Sequence, residues 1–139
     1  MDMSNTYLDW AKTNFALNGL VTGDTSPWRL IRADALRFLE DAAAAGLSWD
    51  LIILDPPAFS NSKKMTGTLD LKRDHRPLVK SCLSLLNPGG QLLFSANARS
   101  FSLDPADFPG TAVEDIRERI RDEDFRGKRL PGVYRFTPP

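Results

Sequence analysis

One stretch of the sequence, an apolar run that stops at a carboxylate and two prolines, constrains the fold most. Residues 51–54 read Leu-Ile-Ile-Leu, and a continuous apolar run is typical of a strand that is buried on both faces. Asp55-Pro56-Pro57 ends this strand, because proline has no N–H to donate to a neighbouring strand. The run predicts an α/β fold, and the corner after it lies at the carboxyl edge of the sheet, where such folds bind ligands.

Helical and strand patterns alternate along the chain, which indicates a largely parallel sheet with helices between its strands. The predicted helices run from Ser4 or Asn5 to Asn18, from Asp34 to about Ala45, and from about Leu71 to Leu86. The predicted strands are 28–33, 49–54, 91–96, 111–116 and 132–137, the last of them antiparallel to its neighbour. Residues 87–90 are predicted to form a turn. Pro77 either kinks the third helix or forms its first turn.

Composition and charge exclude several classes of protein. The 139 residues, 42% of them hydrophobic and 26% charged, suit one globular domain. Balanced totals of 18 basic and 18 acidic residues argue against nonspecific coating of nucleic acid, although they allow a local basic patch. The single cysteine, Cys82, excludes an intrachain disulfide and a cysteine-built zinc site, and we expect no metal. Without a long apolar run or a signal peptide, we expect a cytoplasmic protein with no membrane partner.

The corner after the apolar strand carries the groups most suited to chemistry. The carboxylate of Asp55 can accept hydrogen bonds from the exocyclic amine of a base, and Pro56 and Pro57 stiffen the turn. Phe59 offers a flat face for a flipped base, and such stacking is worth about 1–3 kcal/mol. The alternative is a plain strand-ending turn with Phe59 in the core. We predict that Asp55, Pro56, Pro57 and Phe59 form a catalytic corner.

Three stretches together give the chain a family resemblance. They read MDMSNTYLDWAKTNFALNGL from residue 1, DPPAFSNSKKM from residue 55, and NPGGQLLFS from residue 87. They resemble the bacterial bifunctional 23S rRNA guanine methyltransferases, in the C-terminal half that is similar to N7-guanine methyltransferases. The resemblance runs from residue 1 to about Asn97. It implies a Rossmann-like class I fold, S-adenosylmethionine as cofactor and 23S ribosomal RNA as substrate.

The family places a strand and a glycine-rich turn ahead of the first helix. No Gly-x-Gly-x-x-Gly occurs in residues 1–139. We therefore expect a single, partial methyltransferase domain, truncated at its N-terminus, whose partner is the missing N-terminal portion. The oligomeric state stays open.

The resemblance also implies roles for individual residues. Asp2 would bind the cofactor ribose and Met3 would pack against the adenine, while Asp34 and Ala35 would read the adenine edge. Asp55 would lie beside the methyl group and the target base. Two alternatives stay open, because Asp2 could be a frayed terminus and Asp34 could be a plain helix N-cap, although a cap keeps one free carboxylate oxygen.

Basic residues follow the corner and are predicted to contact RNA phosphates. The candidates are Lys63, Lys64 and Arg73, with Lys72 and Arg76 nearby. The alternative is a solvated helix face. A second basic group, from Arg117 to Arg129, is interleaved with acidic residues, and this pattern predicts an internally paired surface.

The sequence also bears on the choice among chemistries. Methylation of pyrimidine C5, found in relatives that resemble this chain, needs a thiolate that adds to the ring. Ser95-Ala96-Asn97 stands where those relatives carry the cysteine. Cys82 and His75 are expected to be structural residues instead. Methylation of a ring nitrogen is therefore favoured, and the remaining alternative is a non-catalytic RNA-binding or interaction remnant of such an enzyme.

Overall fold

A computed structural model describes residues 1–60, 68–98 and 101–139. The chain forms two compact units, Met1–Asp41 and Ala42–Pro139, and each is described by itself. The expectation of a single partial domain stays a prediction. Among the described residues, every helix is too short or too polar to cross a bilayer.

The first unit opens with helix α1 (Asn5–Leu17), as predicted. Ser4 caps it, because its side-chain oxygen accepts from the backbone N–H of Tyr7 at 3.5 Å. Asn18 and Gly19 end the helix, and Gly19 adopts a φ of 71°, a left-handed conformation that favours glycine. α1 buries none of its residues.

Helix α2 (Ala35–Ala44) follows the predicted cap. The Oδ1 atom of Asp34 accepts from the backbone N–H groups of Leu36 at 3.0 Å and Arg37 at 3.2 Å. The helix ends before Gly46, whose φ is 65°. The predicted bounds of α2 are thus confirmed.

The prediction of a strand over residues 28–33 is wrong. Two isolated parallel bridges replace it, joining Asp2 to Arg32 and Thr22 to Trp28. A ladder needs consecutive residues on both sides, but the chain turns into α1 at Ser4, so the pairing at Asp2 stops after one bridge.

The second unit contains six strands and one longer helix. These are β1 (Trp49–Leu54), β2 (Phe59–Ser60), β3 (Leu69–Asp70), α3 (Leu71–Leu83), β4 (Leu86–Ala96), β5 (Ala112–Asp115) and β6 (Gly132–Thr137). Four of the strands form a sheet in the order β1-β4-β6-β5. β1 and β4 are parallel, while β6 is antiparallel to both β4 and β5. β1, β4 and β5 therefore share one direction, which confirms a mostly parallel sheet with an antiparallel C-terminal strand.

Helix α3 begins at the cap Asp70, whose side chain accepts from the backbone N–H of Lys72 at 3.0 Å. Pro77 lies inside the helix, so the alternative in which it forms the first turn is wrong. α3 ends at Leu83 rather than at the predicted Leu86, because Leu86 already pairs with β1.

The turn predicted over residues 87–90 is an irregularity inside β4. β4 starts at Leu86, and its register against β1 shifts between Trp49 and Leu51. Gly89 has a φ of 77°, which supplies the backbone bend that an extra stretch of chain requires. The glycine signal is therefore present, but it marks a bulge in a strand and not the start of one.

The core of the second unit lies between α3 and one face of the sheet. α3 contributes the buried side chains Leu71, His75, Leu78, Val79 and Cys82. The central strands contribute Leu92, Phe94, Tyr134 and Phe136. Aromatic rings cluster here, with Phe94 and Tyr134 stacked at 6.2 Å between centroids.

β1 is not buried on both faces, so that expectation is wrong. Leu51 is 52% exposed and Ile53 is 71% exposed. β1 is an edge strand of the described sheet, and the face that carries these two side chains is largely open to solvent.

Candidate functional site

The second unit places a carboxylate and a hydroxyl together at the ends of two parallel strands. Asp55 follows β1, and Ser95 lies near the end of β4. Because Leu54 pairs with Phe94, the next residue of each strand comes side by side. The Ser95 hydroxyl donates a hydrogen bond to Oδ1 of Asp55. This bond orients the Asp55 carboxylate while the residue remains exposed.

The corner after Asp55 presents an aromatic ring to solvent. Phe59 lies in β2 and pairs with Asp70 of β3, and it is 59% exposed. The alternative in which Phe59 fills the core is therefore wrong. The carbonyl of Ala58 accepts from the backbone N–H of Leu71 at 3.1 Å, which ties the Pro56-Pro57 corner to the start of α3.

Sequence reasoning missed Ser95 as the partner of Asp55. It considered Ser95 only as a residue standing where a cysteine would act. The usable signal is that each residue directly follows the apolar part of its strand, at residues 51–54 and 92–94. Parallel strands that end together bring such residues to one sheet edge.

The first unit brings the predicted cofactor-binding residues to neighbouring backbone positions. The Asp2 N–H donates to the carbonyl of Ile31 at 3.0 Å, and the Ala33 N–H donates to the carbonyl of Asp2 at 3.3 Å. Asp2 is therefore paired and not a frayed terminus. Met3 and Asp34 each follow one side of this pairing, so the two segments leave the bridge together.

Both carboxylates of this group are held by backbone N–H groups. Oδ1 of Asp2 accepts from the N–H of Ser4 at 2.7 Å. Among the described residues, the hydrogen bonds to the Asp34 carboxylate all use Oδ1, which leaves Oδ2 for an outside donor. Asp34 is thus an N-cap that keeps an accepting oxygen, and Ala35, the first residue of α2, follows it.

Not all of the predicted RNA-binding residues can be placed. Lys63 and Lys64 lie outside the described residues. Arg73 donates to Asp74 at 2.6 Å and to the carbonyl of Thr68 at 2.7 Å. Its hydrogen bond lowers the pKa of the Asp74 carboxyl below its ordinary value. The charge of Arg73 is already compensated, and its contact with RNA stays a prediction.

Four members of the second basic group are internally paired, as predicted, whereas Lys128 and Arg129 form no ion pair with any described residue. Ion pairs join Arg117 to Asp115, Arg119 and Arg135 to Glu114, Arg121 to Glu118, and Arg126 to Glu123. Hydrogen bonds from Arg119 and Arg135 lower the pKa of the Glu114 carboxyl.

Cys82 and His75 are structural, as expected. Cys82 is 1% exposed, and burial raises the pKa of its thiol to about 12. His75 is 5% exposed, and its Nδ1 lies 3.1 Å from the carbonyl of Leu71. Its ring packs edge-on to Phe101 at 5.0 Å. Neither side chain is presented to a substrate.

Comparison with known proteins identifies relatives that cover nearly the whole chain. No family model matches. The chain is 48% identical over 130 residues to ribosomal RNA large subunit methyltransferase K of Neisseria meningitidis, a match that covers 94% of the chain and 36% of the relative. It is 49% identical over 140 residues to methyltransferase K/L of Methylococcus capsulatus, which covers all of the chain and 19% of the relative. The chain thus spans between about a fifth and about a third of these proteins.

Solved structures give the fold. The SAM-dependent methyltransferase from Agrobacterium tumefaciens matches with a TM-score of 0.69 at 24% identity, covering 97% of this chain and 46% of that one. SMU.776, solved in complex with SAH, matches with a TM-score of 0.74 at 18% identity, covering 97% and 37%. The chain therefore has the fold of the SAM-dependent methyltransferases, and it is homologous to the ribosomal RNA large subunit methyltransferases K and K/L.

Proposed function

We propose that the chain forms part of a S-adenosylmethionine-dependent methyltransferase that modifies 23S ribosomal RNA. One observation carries the proposal: the Asp55 carboxylate is oriented by Ser95 at the carboxyl ends of two parallel strands, and an exposed aromatic ring, Phe59, follows on the same corner. The relatives named for large-subunit ribosomal RNA supply the substrate class.

The first unit supplies groups that fit the nucleoside part of the cofactor. When bound, S-adenosylmethionine supplies a methyl group carried on a sulfonium. Asp2 would accept hydrogen bonds from the ribose hydroxyls, and Oδ2 of Asp34 would accept from the adenine amine. Met3 would pack against the ring, and the Ala35 N–H would donate to it. The family holds the methionine end with a glycine-rich turn, which residues 1–139 lack.

For the transfer itself we propose guanine N7 as the acceptor. The N7 lone pair lies in the plane of the base and carries no proton, so the enzyme needs no general base. Its contribution is placement and electrostatics. Asp55 would hold the guanine edge and favour the cationic product, while Phe59 would stack on the base. Pro56 and Pro57 would keep these two residues in one geometry.

The structure disfavours pyrimidine C5 methylation as the alternative. That reaction needs a thiolate beside the base. Ser95 occupies the end of β4 and is bonded to Asp55. Cys82 is buried in α3, and the pKa of its thiol, about 12, keeps it protonated at neutral pH.

The test of this function replaces Asp55 and measures methyl transfer. Asp55→Ala, in the full-length protein, is expected to lower transfer from tritiated S-adenosylmethionine to 23S rRNA by about 10²–10³, the usual loss for one electrostatic stabiliser. Asp50→Ala is the matched control, because Asp50 is an exposed carboxylate at the opposite end of β1 from Asp55. Unchanged turnover in Asp55→Ala would refute the role.

We further propose that the catalytic domain includes polypeptide that pairs with β1. The support is that β1 is an edge strand with an uncovered apolar face at Leu51 and Ile53. Titration calorimetry with S-adenosylmethionine separates this case from a non-catalytic remnant. Binding that appears only in the longer protein supports the missing partner, whereas no binding by either protein favours the remnant.

A further inference from the structure

The first unit contains a basic cleft outside the predicted cofactor-binding residues. The cleft has a volume of about 450 Å³, within the range of about 300–1,000 Å³ typical of ligand sites. α1 contributes Lys12 to its wall, and the segment between the helices contributes Asp24, Arg29 and Arg32. Three cations thus face one carboxylate, which makes the cleft attractive to anions.

These cations differ from the arginines of the second unit. Lys12, Arg29 and Arg32 form no salt bridge with any described residue. The salt bridges within the described ranges all belong to arginines of the second unit, and seven of its guanidinium groups lie against a carboxylate. The carboxylate beside a paired guanidinium offsets its field, so the pair attracts RNA less than an unpaired cation of the cleft does.

The wall of the cleft is pre-organised by its own hydrogen bonds. The backbone N–H of Gly23 donates to the carbonyl of Trp28 at 3.3 Å. The backbone N–H of Trp28 donates to the Ser26 hydroxyl oxygen at 3.0 Å. Arg32 donates from Nε to the carbonyl of Met3 at 3.4 Å. A loop that is cross-linked in this way loses less freedom when it binds a ligand.

We infer that this cleft binds the phosphate backbone of the RNA substrate. The inference rests on the proposed function for the identity of the RNA. Arginine favours phosphate because its planar guanidinium donates two parallel hydrogen bonds to neighbouring oxygens. The cleft therefore positions the RNA without reading its sequence.

The test measures binding of a short fluorescent single-stranded RNA to the chain by anisotropy over a salt series. The double variant Lys12→Gln/Arg29→Gln is expected to lose about tenfold in affinity at low salt. Its log–log salt slope should be shallower by about 1.4, or about 0.7 for each lost phosphate contact. Asp24→Asn should raise affinity about two- to fivefold, because it removes the one carboxylate of the cleft. A gain of this kind cannot come from misfolding.

The matched control is Arg119→Gln/Arg126→Gln, which removes two exposed and ion-paired cations. Equal losses in the two double variants would overturn the inference, as would no RNA binding by the parent chain or equal competition by polyglutamate. Calorimetry with S-adenosylmethionine judges the proposed function separately. In the full-length protein, a cleft variant that loses RNA affinity but matches its parent toward the cofactor supports the cleft as an RNA site.

Discussion

The two neighbouring strands β1 and β4 should respond very differently to the loss of an apolar side chain. Leu92 is fully buried, with 0% exposure, whereas Ile53 is 71% exposed. Complete burial of such a side chain contributes about 1.5–3 kcal/mol. With less than a third of that burial, Ile53→Ala should cost about 0.4–0.9 kcal/mol. Leu92→Ala should cost about 2–5 kcal/mol, because it also leaves a cavity.

Urea unfolding followed by circular dichroism measures both free energies of unfolding in the isolated chain. If Ile53→Ala lowers the free energy of unfolding by several kcal/mol, the face of β1 is not exposed in the isolated chain. The proposal that further polypeptide pairs there would then lose its support. In a longer protein that covers β1, the same substitution should approach the cost of Leu92→Ala.

Three further results are expected. Gly90→Ala should lower the free energy of unfolding by about 1–3 kcal/mol, because the new Cβ would lie 2.9 Å from the carbonyl oxygen of Asn87. Gly23→Ala is the control, since its Cβ would meet no atom within 4 Å, and urea unfolding compares the two variants. Cys82 should not react with a disulfide reagent in the folded chain at pH 8, since burial raises the pKa of its thiol to about 12; rapid labelling without denaturant would contradict this. The pKa of the Glu114 carboxyl is lowered from 4.5. Its ionised form therefore stabilises the fold fully above that ordinary value, and progressively less as pH falls through the folded pKa. The free energy of unfolding should accordingly differ less between pH 6 and pH 3 in Glu114→Gln than in the parent chain.

Local signals predicted much of the fold. The caps Ser4 and Asp34 and the alternation at residues 132–137 depend on neighbours in sequence, and the structure agrees with them. The strand prediction for residues 28–33 was wrong for a non-local reason. Their apolar pattern does not reveal how many backbone residues lie opposite them to pair with. The exposure of Ile53 has the same origin, since an apolar run indicates what a strand prefers and not what covers it.

The candidate site shows the same division. Asp55 and Phe59 were found because a carboxylate and an aromatic ring follow a strand and two prolines. Ser95 was missed because its contact with Asp55 depends on the register of β1 against β4. The basic cleft was also missed, because Lys12 and Arg29 are separated along the chain and no short motif joins them.

The uncovered edge of β1 has a further consequence for handling the protein. A short strand of β-branched and apolar residues with free backbone groups is a template for aggregation. Asp50 and Asp55 lie on either side of its apolar run, and charges in such places oppose stacking between chains. Asp55 would then protect solubility as well as serve chemistry. Light scattering of Asp55→Ala should accordingly show self-association at lower concentration than the parent chain.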